Sequence, residues 1–318
     1  MGRELVLAID VGGTKLAAGV VRADGTLLSA EKVPSQPRDD SEGLYQTLLA
    51  LCQRVLDQAG VARAALWAVG VGAGGPMEYP AGILSTLNLP AWRQRFPLRA
   101  RLQETFQLPT VVDNDAKALA LGEYWKGAGQ GARCFLGMVA STGVGGGIVV
   151  EGRLIHGASG NAGHVGHINV WRNGPQCGCG SRGCVEAIAS GTGIARRARL
   201  AIRRGVPTSL RGAPTAVEVA EAARAGDALA RQLYRDAGWA LGVGIASAAA
   251  LLDLDRVVIS GGVASNGPLL WDPLYAALRR TARLDFTRNV QVLPSTLGVQ
   301  ASLIGSAALV FLGAPEGC

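Results

Sequence analysis

Aromatic and charged residues are scarce in this sequence. Of its 318 residues, 5% are aromatic, 17% are charged and 48% are hydrophobic. A chain of this length and balance can bury a sizeable core over two domains, which argues against intrinsic disorder. Glycine is abundant instead, because 45 glycines occur within apolar runs rather than in repeats. That distribution is typical of tight turns and of loops whose backbone closely approaches a ligand.

The sequence also lacks an apolar run that we expect to cross a bilayer. The uncharged stretches from Cys134 to Val150 and from Trp239 to Leu252 are too short or too interrupted by glycine. Glu4 and Asp10 flank the first apolar run, which argues against a signal peptide. We therefore expect a cytoplasmic protein without a membrane partner, in which clustered cysteines are metal ligands more often than disulfides.

The net charge is +7, and arginine is densest between Arg196 and Arg211. This segment contains no aromatic residue and no recognisable nucleic-acid motif, so it is interpreted as the solvated face of a helix. An attraction for phosphorylated small molecules fits the charge equally well. We expect small-molecule partners and no nucleic acid.

Strands that run into glycine turns recur along the chain. In the first half, ELVLAID and LAAGVVR flank the turn VGGTK, and the strand PTVVDND leads into a helix. The second half begins in the same way with CFLGMVASTGVGGGIVV and later contains RVVISGG. Alternating strands and helices predict an α/β fold, and the echo between the halves hints at an ancient duplication.

Three of these glycine turns carry groups suited to a nucleotide. The first combines a carboxylate, two glycines and a lysine, although a simple hairpin with a surface lysine would look the same. The second sets two hydroxyls beside a triglycine run that would poorly stabilise a plain strand, which favours ligand contact. The third suits a base or ribose passing near the backbone. The residues are Asp10, Gly12, Gly13, Thr14 and Lys15; Ser141, Thr142, Gly143 and Gly145; and Gly261 and Gly262.

A fourth glycine pattern is discounted. Gly70, Gly72 and Gly75 satisfy GxGxxG after an apolar strand, which on its own would suggest a dinucleotide fold. Pro76 follows directly, so we expect no helix there whose N-terminus could receive a pyrophosphate.

Asn114 and Asp115 stand where a strand turns into a helix. A ligand hydroxyl could meet both side chains, and the helix dipole favours an ionised Asp115. An ordinary helix cap would use the same residue types, so this pair alone leaves both interpretations open.

One imidazole and three thiolates are closely spaced in the pattern His167-x9-Cys177-x-Cys179-x4-Cys184. This set is sufficient for a closed tetrahedral zinc site. Four protein ligands leave no position for an activated water, so we predict a structural rather than a catalytic zinc.

Taken together, these motifs resemble the ROK family (repressor, open reading frame, kinase) of bacterial sugar kinases, in the actin and hexokinase fold group. The segments that carry the resemblance are AIDVGGTK, NLPAW, DNDA, STGVGGG, GHVGH, CGCGSRGCVE and GVQASLIGSAAL. The resemblance implies an α/β, two-lobed, actin/hexokinase-like (ribonuclease H-like) fold with an interdomain cleft. It implies an N-terminal lobe of residues 1–117 plus 300–318, a C-terminal lobe of residues 118–299, and a homodimer.

The resemblance also implies roles for individual residues. Asp115 would be the general base for the 6-hydroxyl of a sugar. Asp10 and the first two glycine turns would handle Mg²⁺ and the phosphates of ATP, and His167 would bind zinc through one ring nitrogen and the sugar through the other. The sugar hydroxyls would be held by Asn88, Asn114, His167 and Glu186.

One residue departs from the pattern of the family's glucokinases, which mostly carry Glu-x-Gly-His where this sequence has His164-Val165-Gly166-His167. Glutamate accepts two hydroxyls, whereas a neutral histidine offers one donor and one acceptor. His164 and the segment after it look like the bacterial N-acetylmannosamine kinases, so we expect that sugar, with glucose and N-acetylglucosamine as alternatives.

Two other functional classes remain. Repressors of the family carry a DNA-binding region before the first glycine turn, and here that turn begins at residue 11, so we do not expect a repressor. A sugar-binding protein without catalysis is disfavoured because Asp115 and both phosphate turns are present.

Overall fold

The computed structural model of the chain describes residues 4–35, 40–86 and 88–313. The strands are β1 (Leu5–Val11), β2 (Lys15–Arg22), β3 (Leu27–Pro34), β4 (Ala68–Ala73), β5 (Met77–Glu78), β6 (Ile83–Leu84), β7 (Phe96–Pro97), β8 (Thr110–Asn114), β9 (Cys134–Ala140), β10 (Val144–Val150), β11 (Arg153–Leu154), β12 (Arg256–Ser260) and β13 (Gln291–Pro294). The helices are α1 (Ser41–Ala59), α2 (Leu98–Phe106), α3 (Asp115–Lys126), α4 (Val185–Ala189), α5 (Gly191–Arg203), α6 (Ala216–Arg224), α7 (Ala228–Leu252), α8 (Pro268–Thr281), α9 (Asp285–Arg288) and α10 (Ala301–Phe311). None of these helices has the length and apolarity that a membrane crossing requires.

Two five-stranded sheets share one topology. Their orders are β3-β2-β1-β4-β8 and β11-β10-β9-β12-β13. In the first, β1 and β2 are antiparallel while β4 is parallel to both β1 and β8. In the second, β12 is parallel to β9 and β13. Each sheet therefore repeats the same sequence of hairpin and crossover connections, which confirms the predicted α/β class and the echo between the two halves.

The chain divides into two compact units. The first comprises residues 1–131, 147–162 and 296–318, and the second comprises residues 132–146 and 163–295. These limits come from internal packing and differ from the predicted lobes, 1–117 with 300–318 and 118–299. The predicted division into ligand-carrying lobes stays a prediction.

The sheet of the first unit has a buried core on both faces. On one face, Leu48, Leu51 and Val55 of α1 pack among the fully buried residues of β1 and β2. On the other, Ala307 and Val310 of α10 are buried with residues of β1 and β4. Because β1 is covered on both sides, it is a nearly continuous apolar run rather than an alternating one.

The discounted GxGxxG pattern has a packing function in the first unit. The short strand β5 follows it instead of a helix. A Cβ atom on Gly70 would lie 2.0 Å from the Ser306 carbonyl oxygen, so the glycine lets α10 approach the sheet. The prediction that this motif does not begin a dinucleotide-binding helix is confirmed.

In the second unit, the glycines of the long helix α7 allow α8 to pack closely. Cβ atoms on Gly238 and Gly242 would lie 2.3 Å and 2.5 Å from the carbonyl oxygens of Leu270 and Leu274. The helix α8 was not predicted from the sequence. Its apolar residues fit a helical period, but Pro273 lies inside it and weakens that signal.

Candidate active site

The first glycine turn joins β1 to β2 and lies beside a nearly buried carboxylate. The Gly12 amide donates a hydrogen bond of 3.0 Å to the Lys15 carbonyl, which closes the turn. Asp10, near the end of β1, is 8% exposed, whereas Thr14 and Lys15 are exposed. A carboxylate next to an exposed hydroxyl and ammonium is a donor set that fits a hydrated Mg²⁺ ion together with phosphate oxygens.

Asn88 lies against this turn although it is distant in sequence. A Cβ atom on Gly13 would lie 2.7 Å from both the Cβ atom and the carbonyl oxygen of Asn88, closer than real Cβ atoms approach. Gly13 therefore has a requirement that the sequence did not reveal, namely to admit the backbone of Asn88. The Asn88 side chain is exposed and accessible to a ligand.

Asn114 and Asp115 form the start of α3. The Asn114 side chain is the N-cap, because its Oδ1 atom accepts a hydrogen bond of 3.1 Å from the Ala116 amide. Asp115 Oδ1 accepts from the same amide at 2.8 Å. Cβ atoms on Gly74 and Gly75 would lie 3.8 Å from Asp115 Oδ2 and 3.9 Å from Asn114 Nδ2. The cap interpretation is therefore realised, and it leaves the Oδ2 and Nδ2 atoms on the side of the glycine loop.

Asp10 and Asp115 are electrostatically coupled. Burial, and then the negative charge of Asp115, raise the pKa of Asp10 from 3.8 to about 6, although a hydrogen bond from Ser302 and the charge of Lys15 lower it. Ionised Asp10 is thus costly in the folded protein until a cation compensates it.

We expect Asp10→Asn to stabilise the protein above pH 6 when divalent cations are absent. The folded pKa lies above the unfolded one, so the stability contributed by the protonated carboxyl is complete below about pH 4 and is lost as the pH rises through about 6. A difference of about two pKa units corresponds to about 3 kcal/mol. Thermal unfolding in EDTA should show a higher Tm for the variant at pH 8 and no difference at pH 4.

Asp227→Asn is the matched control, with the opposite sign. Burial raises the pKa of Asp227, but hydrogen bonds from Ala230, Ser209 and Thr208 lower it to about 2, so its charge is favourable in the folded state. We expect a lower Tm at pH 8 for this variant. If Asp10→Asn also had a lower Tm at pH 8, this would contradict the inference that ionised Asp10 destabilises the folded protein.

The second glycine loop, in the second unit, is tied to Glu186. Glu186 Oε2 accepts a hydrogen bond of 3.0 Å from the Val144 amide, and a Cβ atom on Gly143 would lie 2.7 Å from that oxygen. The Ser141 carbonyl accepts from the Gly191 amide at 2.7 Å. These contacts link the loop to the start of α5 and leave Oε1 as the other carboxylate oxygen of Glu186.

Part of the triglycine run is explained by packing rather than by a ligand. A Cβ atom on Gly146 would lie 2.8 Å from the Gly137 carbonyl oxygen, and one on Gly147 would lie 2.8 Å from Ala120 of α3. The expectation that the cost of these glycines marks ligand contact is therefore wrong for Gly146 and Gly147. It stays a prediction for Gly143 and Gly145.

The second unit contains a cavity of about 640 Å³. It lies beside the second and third of the three glycine turns, at Ser141 and Gly262. Gly261 adopts φ +99°, and a Cβ atom there would lie 2.4 Å from the Ala140 carbonyl oxygen, so the turn needs glycine. Gly262 lines the cavity and has no atom near its own Cβ position. The rest of the lining includes Ser141, Thr142, Thr192, Arg199, Pro214 and Asn266.

Most of this lining was not identified from the sequence. Arg199 belongs to the arginine-rich segment that was interpreted as a solvated helix face, and that interpretation is wrong for two of its residues. Arg199 lines the cavity, and Arg197 forms an ion pair with Asp236 of α7. Arg196 and Arg203 are exposed, as expected. The strong amphipathic period of α5 was the signal that its arginines do not all face solvent.

His167, Cys177, Cys179 and Cys184 come together in the second unit. Their potential ligand atoms all lie within 4.8 Å of one another. Cys179 Sγ and Cys184 Sγ are 3.8 Å apart, and His167 Nδ1 is 3.7 Å from Cys177 Sγ. A tetrahedral zinc with Zn–S bonds of about 2.3 Å has S–S edges of about 3.8 Å. The cluster therefore fits a structural zinc, in agreement with the sequence pattern.

The cluster is built by tight turns rather than by regular structure. The Cys177 amide donates to the Ser181 carbonyl at 2.8 Å, and Gly180 adopts φ +91°. In the metal-free protein, burial and the neighbouring thiols raise the pKa of Cys184 to about 12. Zinc binding would therefore release a proton from this thiol.

His164 stands beside the cluster. It precedes the short 3-10 helix of residues 165–167, and its ring centroid is 6.1 Å from that of His167. A Cβ atom on Gly166 would lie 2.0 Å from the Val144 carbonyl oxygen, so the segment packs directly on the start of β10. Since His167 Nδ1 faces the thiols, Nε2 is the nitrogen on the other side of its ring.

Comparison with known proteins decides the family. The ROK family model matches residues 6–311. The chain belongs to the ROK family. The glucokinase of Halalkalibacterium halodurans is 35% identical to this ROK protein over 96% of the chain and 94% of its own length. The N-acetylmannosamine kinase of Shigella flexneri is 36% identical over 96% and 97% of the two chains.

A solved ROK structure is similar in fold. The crystal structure of a ROK family glucokinase from Streptomyces griseus in complex with glucose and AMPPNP has a TM-score of 0.79, with 35% identity over 96% of this chain and 98% of that one. These findings confirm the predicted family and the actin/hexokinase-like fold class. This ROK protein is an ATP-dependent sugar kinase.

Proposed function

We propose that this ROK kinase transfers the γ-phosphoryl group of ATP to the 6-hydroxyl of N-acetylmannosamine. The observation that carries the choice of sugar is His164, an exposed imidazole beside His167, at the position where a glutamate is typical of the family's glucokinases. An imidazole can donate one hydrogen bond to the carbonyl of an N-acetyl group, which a carboxylate cannot do. The 36% identity to an N-acetylmannosamine kinase is consistent with this choice.

Each proposed sugar contact uses a side-chain atom other than the one that forms the local hydrogen bond or faces the zinc ligands. Asn114 Oδ1 is used in the helix cap, so Nδ2 would donate to a sugar oxygen. Glu186 Oε2 is used by the Val144 amide, so Oε1 would accept from a hydroxyl. His167 would use Nε2 while Nδ1 binds zinc. Asn88 and His164 would complete the set of side chains that bind the sugar.

Asp115 would be the catalytic base. Its Oδ1 atom is oriented by the Ala116 amide at the N-terminus of α3, where the helix dipole favours a carboxylate. Oδ2 would take the proton of the 6-hydroxyl as the phosphoryl group is transferred. Phosphoryl transfer depends mainly on in-line positioning and on neutralising the charge of the phosphates, so one oriented base is sufficient protein chemistry.

The nucleotide would be bound by the three glycine turns and by the cavity. Thr14 and Lys15 would contact phosphate oxygens, and Ser141 and Thr142 would do so from the second loop. Asp10 would hold Mg²⁺, which supplies positive charge to the phosphates when it is bound. The cavity beside Gly262, about 640 Å³ in volume, is large enough for a nucleoside.

Glucose is the second candidate substrate. The glucokinase of Halalkalibacterium halodurans is 35% identical, and the Streptomyces griseus structure contains glucose, so overall similarity does not separate the two sugars. N-acetylglucosamine is a third possibility. All three share the 6-hydroxyl and differ around C2, which is where a change from glutamate to histidine would act.

An ADP-release assay across N-acetylmannosamine, N-acetylglucosamine, glucose, mannose and fructose tests the proposal. We expect the highest kcat/KM with N-acetylmannosamine, by about tenfold or more over glucose, because a site that hydrogen-bonds a substrate group discriminates against a sugar that lacks it. A higher kcat/KM for glucose would replace the proposed substrate. Absence of ADP release with every sugar would refute catalysis and favour a sugar-sensing, non-catalytic protein.

We expect His164→Glu to shift the preference toward glucose, since the carboxylate accepts two hydroxyls. The ratio of kcat/KM values for the two sugars measures the shift. Leu251→Glu, at a side chain that is 83% exposed near the end of α7, is a control for the introduction of a carboxylate elsewhere in the second unit. An unchanged ranking of sugars in His164→Glu would remove the reason for favouring the amino sugar.

A further inference from the structure

The first unit holds a buried group of charged and aromatic side chains next to Asn114 and Asp115. We call Tyr79, Asp113, Lys117 and His156 the Asp113 cluster. Asp113 is fully buried and Lys117 is 1% exposed, and Lys117 Nζ lies 3.4 Å from Asp113 Oδ1. Burying an ion pair costs several kcal/mol per ion in desolvation, and such pairs are often no more stabilising than apolar residues of similar volume. The pair therefore calls for a role other than stability.

His156 extends the cluster to a loop that follows β11. Its Nδ1 atom is 3.0 Å from Asp113 Oδ2, and both atoms are buried without a hydrogen-bond partner among the described residues. Its Nε2 atom is 3.2 Å from the Tyr79 hydroxyl, and the two rings are stacked with centroids 4.4 Å apart. Burial, and then the charge of Asp113, raise the pKa of Tyr79, so its hydroxyl stays protonated.

Lys117 fastens the other end of the same loop. Its ammonium donates a hydrogen bond of 2.6 Å to the Gly160 carbonyl. Gly160 adopts φ +77°, and a Cβ atom there would lie 2.4 Å from the Cβ atom of Tyr79. Residues 156–160 are thus fixed at both ends, at His156 by Asp113 and Tyr79 and at Gly160 by Lys117 and Tyr79.

We propose that Lys117 is a positioning residue, which binds Asp113 and the Gly160 carbonyl together and so holds loop 156–160 against the junction of β8 and α3. This inference rests on the proposed function, because that junction carries Asn114 and Asp115. Asp113 Oδ1 also accepts a hydrogen bond of 2.7 Å from the Asn114 amide, so the ion pair orients the backbone immediately before the base. Lys117 does not itself contact the reacting groups.

The lysine also has an electrostatic consequence. Without its ammonium, the fully buried Asp113 carboxylate would lose its cationic partner two residues before Asp115. The Gly160 carbonyl would lose its donor at the same time. We expect both losses to displace Asn114 and Asp115, which are assigned to the sugar, and to leave the glycine turns of the second unit unchanged.

Lys117→Met tests this role, and Lys126→Met in the last turn of the same helix is the control. In Lys117→Met we expect the KM for N-acetylmannosamine to rise about tenfold and the KM for ATP to stay within about twofold. The reason is that Asn114 and Asp115, which are assigned to the sugar, would be displaced, whereas the nucleotide loops would not. Amides of residues 156–162 should exchange with deuterium faster in this variant. Lys126→Met should change neither quantity.

Two results would overturn the proposal: unchanged exchange of the loop in Lys117→Met, or equal rises in KM for sugar and ATP. If Lys117→Met does not fold, Lys117→Gln serves, since its shorter, neutral amide cannot both pair with Asp113 and reach the Gly160 carbonyl. Unchanged loop exchange in that variant would also overturn the proposal. Exchange is measured without substrate, so it still reports on the loop if no sugar is phosphorylated, an outcome that would refute the proposed function alone.

Discussion

Replacing Asp115 by asparagine should lower kcat about 100- to 10,000-fold, because it removes the proton acceptor and its charge from the reacting hydroxyl. The Kd for N-acetylmannosamine should change by less than about threefold, since the amide keeps an oxygen that can accept from Ala116 and from the sugar. ADP release measures kcat, and calorimetric titration measures sugar binding. The combination of lost turnover and retained binding is what separates a base from a binding residue.

Asp57→Asn, on the exposed side of α1, controls for the loss of a carboxylate elsewhere in the first unit and should leave kcat unchanged. A kcat within about tenfold of the wild-type value in Asp115→Asn would remove Asp115 as the base, because general-base contributions are larger than that.

Loss of the metal should weaken sugar binding more than nucleotide binding. Cys179→Ser removes one of the four potential ligands, and we expect it to raise the KM for the sugar about tenfold or more while the KM for ATP stays within about twofold. The reason is that His167 would no longer be held by its Nδ1 atom, and His164 precedes it in the same short segment. Chelation followed by steady-state kinetics should reproduce the effect, and added Zn²⁺ should reverse it in the wild-type protein only.

Cys134→Ser is the matched control, because Cys134 Sγ hydrogen-bonds the Leu252 carbonyl and lies outside the cluster. Metal analysis should find about one zinc per chain in the wild type and in this control. Equal increases in KM for sugar and ATP in Cys179→Ser would count against a role confined to the sugar segment.

The parts of the site that the sequence predicted are local in the chain. The cluster of His167 with three cysteines could be predicted because zinc ligands have a characteristic spacing within a short segment. The glycine turns could be identified from the sequence because each follows an apolar strand. In both cases the physical requirement acts on neighbouring residues, so the sequence records it directly.

The parts that were missed depend on segments distant in the chain. Nothing near Gly13 indicates that it must admit Asn88, and nothing near Lys117 indicates that its ammonium reaches Gly160. The lining of the cavity combines α5, α6 and the turn after β12, so its residues share no single motif. Spatial neighbours of this kind are set by packing, which a single sequence does not display.

The position of Ser306 has a consequence for how the protein is made. Its hydroxyl donates a hydrogen bond of 2.7 Å to the Ile9 carbonyl and accepts one of 3.0 Å from the Gly72 amide. These two bonds attach α10 to β1 and β4 in the sheet of the first unit. During translation, the part of the sheet that α10 covers stays exposed until residues 301–311 emerge. The first unit therefore completes its fold only after the second unit has been synthesised, and the apolar surface that it leaves exposed until then is prone to aggregation in the nascent chain.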